Sequence, residues 1–205
     1  MMSDRDTITF HTNEISEFHM YKLMIGSVVP RPIAWVSTIS KGGVLNLAPF
    51  SFFTIASRQP PTLMISIGPG VEERKGTEKD TLTNIREAKE FVINMVSRPL
   101  GEAMIRSAAN VDAGINEFEL AGVTLRPGTR VQVPAVRQAP IAFELSLNQI
   151  FPLGSDHVVL GTVECVHIDP AAYAGDFKLA IESWEPLASL AGDFATISRP
   201  FTFER

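Results

Sequence analysis

An alternation of large apolar residues with small or polar ones at positions 141–148 constrains the fold more than any other part of the chain. Ile, Phe, Leu and Leu occupy the odd positions, and Ala, Glu, Ser and Asn occupy the even ones. Because successive side chains of a β-strand point to opposite faces, this period of two predicts a strand with one face in the core. A second strand is predicted at 158–168, after a turn at 152–156.

Shorter runs of β-branched and aromatic residues, separated by glycine or proline, indicate further strands. They lie at 33–39, 44–47, 52–56, 62–67 and 91–96. Helical patterns are convincing only at 80–88, where Asp80 is the predicted N-cap, and at 99–109. A fold of alternating strands and helices would need a helix at nearly every crossover. The sequence therefore predicts a single, mainly β domain, an antiparallel barrel rather than a sandwich, with few flanking helices. The remaining parts are a short helix or turn at 16–25 and a long loop with a small hairpin at 110–129.

The charge and apolar content of the chain limit its partners. Its 205 residues carry a net charge of −5, and no cluster of Lys and Arg follows a helix face. We therefore expect neither nucleic acid nor an anionic membrane as a partner. No apolar run reaches the 18 residues of a membrane-spanning helix, and the first residues do not resemble a secretory signal, so a cytoplasmic location is expected.

The only cysteine is Cys165, which excludes an internal disulfide. It shows no ligand-like spacing with His11, His19 or His167, and these histidines show none with each other. The sequence therefore predicts no metal site. The charges at 72–75 are expected to be a solvated run in a loop.

Three places in the sequence offer polar side chains to a ligand. Lys79 and Thr81 bring an ammonium and a hydroxyl to the predicted start of the 80–88 helix, where free N–H groups favour a phosphate. The alternative there is an ordinary capped helix with exposed charges. Arg31, held extended between two prolines, is either an anion ligand or a surface arginine. His157, at a strand start, is either a proton donor to a ligand or a structural residue.

Familiar catalytic motifs are missing from the sequence. It contains no Gly-x-Gly-x-x-Gly, no Gly-x-x-x-x-Gly-Lys-Ser/Thr and no Gly-x-Ser-x-Gly. The sequence therefore lacks the usual markers of common nucleotide-binding folds and of serine hydrolases. No nucleophile or general base stands out, so no catalytic residue is predicted, and any chemistry is expected to belong to a bound cofactor.

An ordered set of short motifs is similar to that of a known family. The motifs are Pro30-Arg31-Pro32-Ile33-Ala34 with Val36-Ser37-Thr38, Asn46-Leu47-Ala48-Pro49-Phe50-Ser51-Phe52-Phe53, Lys79-Asp80-Thr81 with Asn84-Ile85, Glu90-Phe91-Val92-Ile93-Asn94, and Asp156-His157 with Gly161. Together, over roughly residues 20–190, they resemble the flavin reductase-like, FMN-binding split-barrel family. Each motif alone is weak, and the ordered combination is specific.

The resemblance implies a six-stranded Greek-key split barrel that forms a homodimer, with FMN in a groove at or near the subunit interface. It assigns contacts with the flavin ring and ribityl chain to Val36, Ser37, Thr38, Ala48, Pro49, Phe50 and Ser51. It places Ser66, Ile67 and Gly68 near the ribityl phosphate. It assigns the binding of the phosphate to Lys79 and Thr81, and it implies that Arg31 and His157 are further contributors. Segment 189–194 lacks the arginine and tyrosine of the family pattern, which leaves substrate or nicotinamide contacts there open.

By the same resemblance, the expected activity is that of an FMN-dependent oxidoreductase. NADH or NADPH would dock transiently, pass a hydride to the flavin and leave, and an acceptor would then take the electrons. A partner oxygenase is one such acceptor. Two alternatives stay open: a non-enzymatic FMN carrier or sensor, and a flavin-free barrel that only dimerises.

Overall fold

The computed structural model describes residues 7–71, 74–197 and 200–203. The α-helices in these ranges are α1 (Glu17–Ser27), α2 (Asp80–Ala88), α3 (Gly101–Ser107), α4 (Glu117–Ala121) and α5 (Ile181–Trp184). The strands are β1 (Arg31–Pro32), β2 (Ala34–Ile39), β3 (Leu45–Phe50), β4 (Phe53–Arg58), β5 (Pro61–Ile67), β6 (Glu90–Met95), β7 (Leu125–Arg126), β8 (Ala135–Val136), β9 (Ile141–Leu153), β10 (Asp156–Ile168), β11 (Tyr173–Gly175), β12 (Lys178–Leu179), β13 (Leu187–Ser189) and β14 (Phe194–Thr196).

One antiparallel sheet forms the body of the protein, with the strand order β3-β2-β6-β9-β10-β5-β4. β3, at one end of this order, contacts β5 near the other end, so the sheet curls on itself. The prediction of a mainly β antiparallel fold with few helices is confirmed. The sheet has seven strands rather than six, because β4 pairs along β5 as an additional edge strand.

The alternating segment at 141–148 belongs to a long hairpin of β9 and β10, each 13 residues long. The two strands pair from Ile141↔Ile168 to Leu153↔Asp156. The turn in the structure is shorter than the predicted turn at 152–156, because β9 continues to Leu153 and β10 begins at Asp156. The pairing shifts register at Gly161, where a Cβ atom would lie 2.5 Å from the Phe91 ring. Only glycine fits at that point of the core.

Strand β2, second in the sheet order, is buried on both faces, which explains why four of its six residues are apolar. Ala34 and Val36 face the core inside the curled sheet, together with Phe91 and the inner side of α2. Trp35 points the other way, into a second core that α3 and α4 cover. Its indole nitrogen donates to Ser107 Oγ at 2.8 Å, so its one polar atom is satisfied.

Helix α2 agrees with its predicted range but not with its predicted cap. Its Leu82 and Ile85 pack into the inner core. The N-cap is Lys79, and Asp80 is the first helical residue. The Asp80 carboxylate is not free to cap the helix because it pairs with Arg74.

The segment predicted as a long loop at 110–129 contains a helix. Asn116 caps α4 by accepting a hydrogen bond from the N–H of Phe118 at 3.1 Å, and Gly122 ends the helix at φ 70°. The helix predicted at 99–109 is a 3-10 turn, Arg98–Leu100, followed by α3. Among the described residues, every helix is too short or too polar to cross a membrane.

A small sheet of β1, β13 and β14 joins the two ends of the described chain. Arg31 holds it in place and is only 7% exposed. Its guanidinium donates to the carbonyls of Ile25, Val28 and Leu190 and to the hydroxyls of Ser51 and Ser189. The contact with Leu190 lies in the segment that departs from the family pattern.

Candidate functional site

A groove lies between the end of β3, the start of α2 and the segment that follows α3. Its volume is about 120 Å³. We call it the α2 groove, and its lining consists of Asn46, Ala48, Pro49, Gly70, Val71, Arg74, Lys79, Asp80, Thr81, Glu117 and residues 107–111. The first N–H groups of a helix have no partner within the helix, so this start of α2 adds donors to the groove.

A buried hydrogen-bond network fixes the wall of the groove. Asn46 Oδ1 accepts from the hydroxyls of Thr81 at 2.9 Å and Thr38 at 3.1 Å. Asn84 in turn donates to the Thr38 hydroxyl at 3.0 Å. Thr81 is only 1% exposed, so its hydroxyl is not at an exposed anion site as the sequence suggested. The network instead holds α2 against β2 and β3.

Glu117 ends this network and is a buried acid at the floor of the groove. Its Oε2 accepts hydrogen bonds from the side-chain amide of Asn46 and, at 2.6 Å, from the N–H of Leu47. Burial raises the pKa of Glu117, and these two hydrogen bonds partly oppose that rise. Glu117 was not predicted as a site residue, because its partners lie 71 and 70 positions away in the sequence.

Arg74 and Asp80 neutralise each other at the edge of the groove. Two parallel hydrogen bonds of 2.5 and 2.7 Å join the guanidinium to the carboxylate. Its hydrogen bond to Asp80 raises the pKa of Arg74. Arg74 therefore forms a defined ion pair and is not part of the solvated charge run that the sequence predicted. Glu72 and Glu73 of that predicted run lie outside the described residues.

Lys79 is the other cationic side chain in the lining of the α2 groove. It is partly buried, and within the described ranges no carboxylate lies within ion-pair distance of its ammonium. Burial lowers the pKa of Lys79, and the nearby charge of Arg74 lowers it further. A poorly solvated ammonium without an ion pair favours an anion as its partner.

The structure brings together part of the predicted site. Ala48, Pro49, Lys79 and Thr81 all line the α2 groove. Phe50 and Ser51 follow directly along the chain. Ser66 lies beside them, because its N–H donates to the Phe52 carbonyl at 2.8 Å. Gly68 directly follows the last residue of β5. It lies close to the Asp156 carboxylate, because a Cβ atom built on Gly68 would be 3.1 Å from Asp156 Oδ1.

Other predicted residues do not reach the groove. Four of them have no exposed surface to offer a ligand, namely Val36, Ser37, Thr38 and Ile67. The Ser37 and Thr38 hydroxyls bond to Pro134 and Asn46 inside the protein. Arg31 donates all five of its N–H groups within the chain, so none is free for a phosphate. His157 is partly buried opposite Ile67 on β10, away from the lining.

Comparisons with known proteins agree with this architecture. The family model described as "Flavin reductase like domain" matches residues 25–197. The structure is similar to nitrilotriacetate monooxygenase component B from Bacillus cereus, with a TM-score of 0.92 and 32% identity over 97% of this chain and 100% of that one. It is also similar to 2-nitrobenzoate 2-nitroreductase NbaA from Pseudomonas fluorescens, with a TM-score of 0.85 and 28% identity over 97% and 96% of the two chains. A Shewanella frigidimarina protein with a split barrel domain shares the fold at a TM-score of 0.82 and 19% identity, over 97% and 100%.

The curled antiparallel sheet is that of a split-barrel protein. The chain belongs to the flavin reductase-like family, which confirms the resemblance seen in its sequence.

Proposed function

We propose that the protein is an oxidoreductase that binds FMN, with the FMN phosphate in the α2 groove. In this proposal NADH or NADPH passes a hydride to the flavin, and an acceptor then receives the electrons. The observation that carries the proposal is Lys79, a partly buried ammonium at the start of α2 with no ion pair among the described residues.

The charges of the groove favour a phosphate at Lys79. Arg74 and Asp80 cancel each other, and burial raises the pKa of Glu117, which reduces its negative charge at a given pH. The unpaired N–H groups and the dipole of α2 add to the attraction of Lys79 for an anion. Thr81 contributes through its position in the first turn, since its hydroxyl already binds Asn46.

The size of the groove supports placing the flavin ring outside it. Sites for small molecules usually have volumes of about 300–1,000 Å³, whereas the α2 groove has about 120 Å³. It therefore suits the phosphate end of FMN rather than the whole molecule. The ring would lie along Ala48–Ser51 and beside Ser66 and Gly68, the predicted residues that keep some exposed surface.

A second copy of the chain is proposed to complete the ring site. Helix α1 has 11 residues, and none of them is buried. Its Phe18 and Met24 are 60% and 51% exposed, and Ile55 on β4 is 72% exposed. A short helix draws most of its stability from packing, so these apolar side chains favour a homodimer in which they are covered.

FMN supplies the hydride chemistry when it is bound. The chain contributes position: Lys79 holds one end of the cofactor, and the backbone of 48–51 orients the other. The similarity to a monooxygenase component supports an oxygenase as the acceptor. A cytoplasmic location stays a prediction.

The proposal is tested first by the absorption spectrum of the purified protein after addition of FMN and removal of the excess. We expect an oxidised-flavin spectrum with one FMN per chain. Anaerobic addition of NADH or NADPH should then bleach it, and turnover with an added acceptor should be steady.

The same experiment separates the alternatives. Retained FMN that neither NADH nor NADPH reduces would assign the protein to the carriers or sensors. A protein that retains no FMN would overturn the proposal as a whole.

A further inference from the structure

Three potential metal ligands meet at the end of the β9–β10 hairpin, away from the α2 groove. Glu144, Cys165 and His167 each offer one ligand atom, and these atoms all lie within 4.8 Å of one another. None of the three lines the α2 groove. The sequence suggested no metal site because Cys165 and His167 are separated by a single residue and Glu144 is 21 positions from Cys165.

The strand register explains why these side chains converge. Cys165 and His167 are two positions apart on β10, so they point to the same face. Glu144 lies directly opposite Cys165 on β9, which places its side chain on that face as well. Three ligands thus come from two rigid, paired strands rather than from a flexible loop.

The 3.8 Å separation of Cys165 Sγ and His167 Nε2 fits a shared ion better than a proton relay. His167 Nε2 lies 2.5 Å from Glu144 Oε1 and 3.8 Å from Cys165 Sγ. A relay from thiol through imidazole to carboxylate would use both ring nitrogens. In this protein the Nε2 atom of His167 faces both the Cys165 thiol and the Glu144 carboxylate. On a tetrahedral zinc ion, a sulfur and a nitrogen ligand lie about 3.5 Å apart, close to the separation observed.

The surroundings of Glu144 hold it in a ligand position. The N–H of Thr129 donates to Oε1 at 2.8 Å, and the N–H groups of Arg130 and Val131 donate to Oε2 at 2.6 and 3.1 Å. An ion at Oε1 would take the place of His167 as its second partner. Such outer contacts are typical of carboxylates that bind metals.

We propose that Glu144, Cys165 and His167 form a site for one zinc ion, with a fourth position left for water. Thiolate, imidazole and carboxylate together are ligands that zinc accepts. Binding releases the thiol proton to solvent as the S–Zn bond forms. The proton between His167 Nε2 and Glu144 Oε1 leaves as well, to Nδ1 of the same ring or to solvent, so that Nε2 can bind the ion, and the two atoms separate to about 3.3 Å.

Because Cys165 is the only cysteine of the chain, a thiol-reactive reagent reports on this site alone. Zinc should bind to the whole protein at one equivalent and block the reaction of the thiol. Cobalt in place of zinc should give a thiolate-to-metal absorption band. These results should be the same with and without FMN, because the site lies outside the α2 groove.

The variants Cys165→Ala and His167→Gln should each weaken zinc binding by more than about 100-fold, since even outer-shell partners cost 10–100-fold. His157→Gln, on the same strand but outside the cluster, is the matched control and should bind zinc normally. Equal zinc binding by His167→Gln and wild type would overturn the assignment. So would a wild-type thiol that reacts equally fast with and without zinc, a result that stands even if a variant fails to fold.

Discussion

Replacing Lys79 by methionine should weaken the binding of FMN and leave that of riboflavin unchanged. Riboflavin has the same ring and ribityl chain but no phosphate, so the pair of ligands isolates the anion contact. A hydrogen bond to a charged group contributes about 1.5–3 kcal/mol, and each 1.4 kcal/mol is tenfold in affinity. Lys79 is only partly buried, and solvent screening favours the lower part of that range, about 10- to 30-fold.

The assay is a fluorescence titration of the apoprotein with each ligand. Lys75→Met is the matched control, because Lys75 is an exposed lysine of the same loop. Burial lowers the pKa of Lys79, so the ammonium loses its proton at a lower pH than an ordinary lysine. The affinity for FMN should therefore fall as pH rises through that lowered pKa, and Lys79→Met should abolish this dependence. An FMN affinity that changes less than about threefold, or a parallel loss for riboflavin, would refute the phosphate assignment.

Three further predictions concern stability and assembly. Gly161→Ala should lower the free energy of unfolding by about 1–3 kcal/mol in urea, because its Cβ would overlap the Phe91 ring. Gly114→Ala, where a Cβ atom meets open space, is the control for overlap. Glu117→Gln removes a side chain that titrates. Because the pKa of Glu117 is raised in the folded protein, the free energy of unfolding of wild type, relative to that of the variant, should decrease as pH rises through this raised pKa. Met24→Glu should shift the protein from dimer to monomer in sedimentation; a wild-type monomer would contradict the proposed assembly.

The hairpin and α2 could be predicted because each shows a regular period in the sequence. Positions 141–148 alternate cleanly, and Leu82 and Ile85 form an apolar stripe on α2. Helix α4 was missed, since its five residues are too few to show a period. The two-residue strands β1, β7, β8 and β12 carry no periodic signal for the same reason.

The site was predictable only where its residues are neighbours in sequence. Lys79 and Thr81 stand together at a helix start, and Ala48 and Pro49 stand together on β3. Asn46 and Glu117 are 71 positions apart, and only the packing of α4 against β3 brings them together. Ser37 and Thr38 were expected to reach a ligand, but a strand with neighbours on both sides and a core on both faces leaves them no surface.

Arg31 makes the two ends of the protein depend on each other. Its guanidinium binds carbonyls at the end of α1 and the carbonyl of Leu190, which is 159 positions after Arg31. A chain shortened before Ser189 would lose two acceptors of this buried cation, and the helix near the amino terminus would then be held less firmly. Removing either α1 or the chain from Ser189 onward should consequently loosen the other segment, although the two are far apart in the sequence.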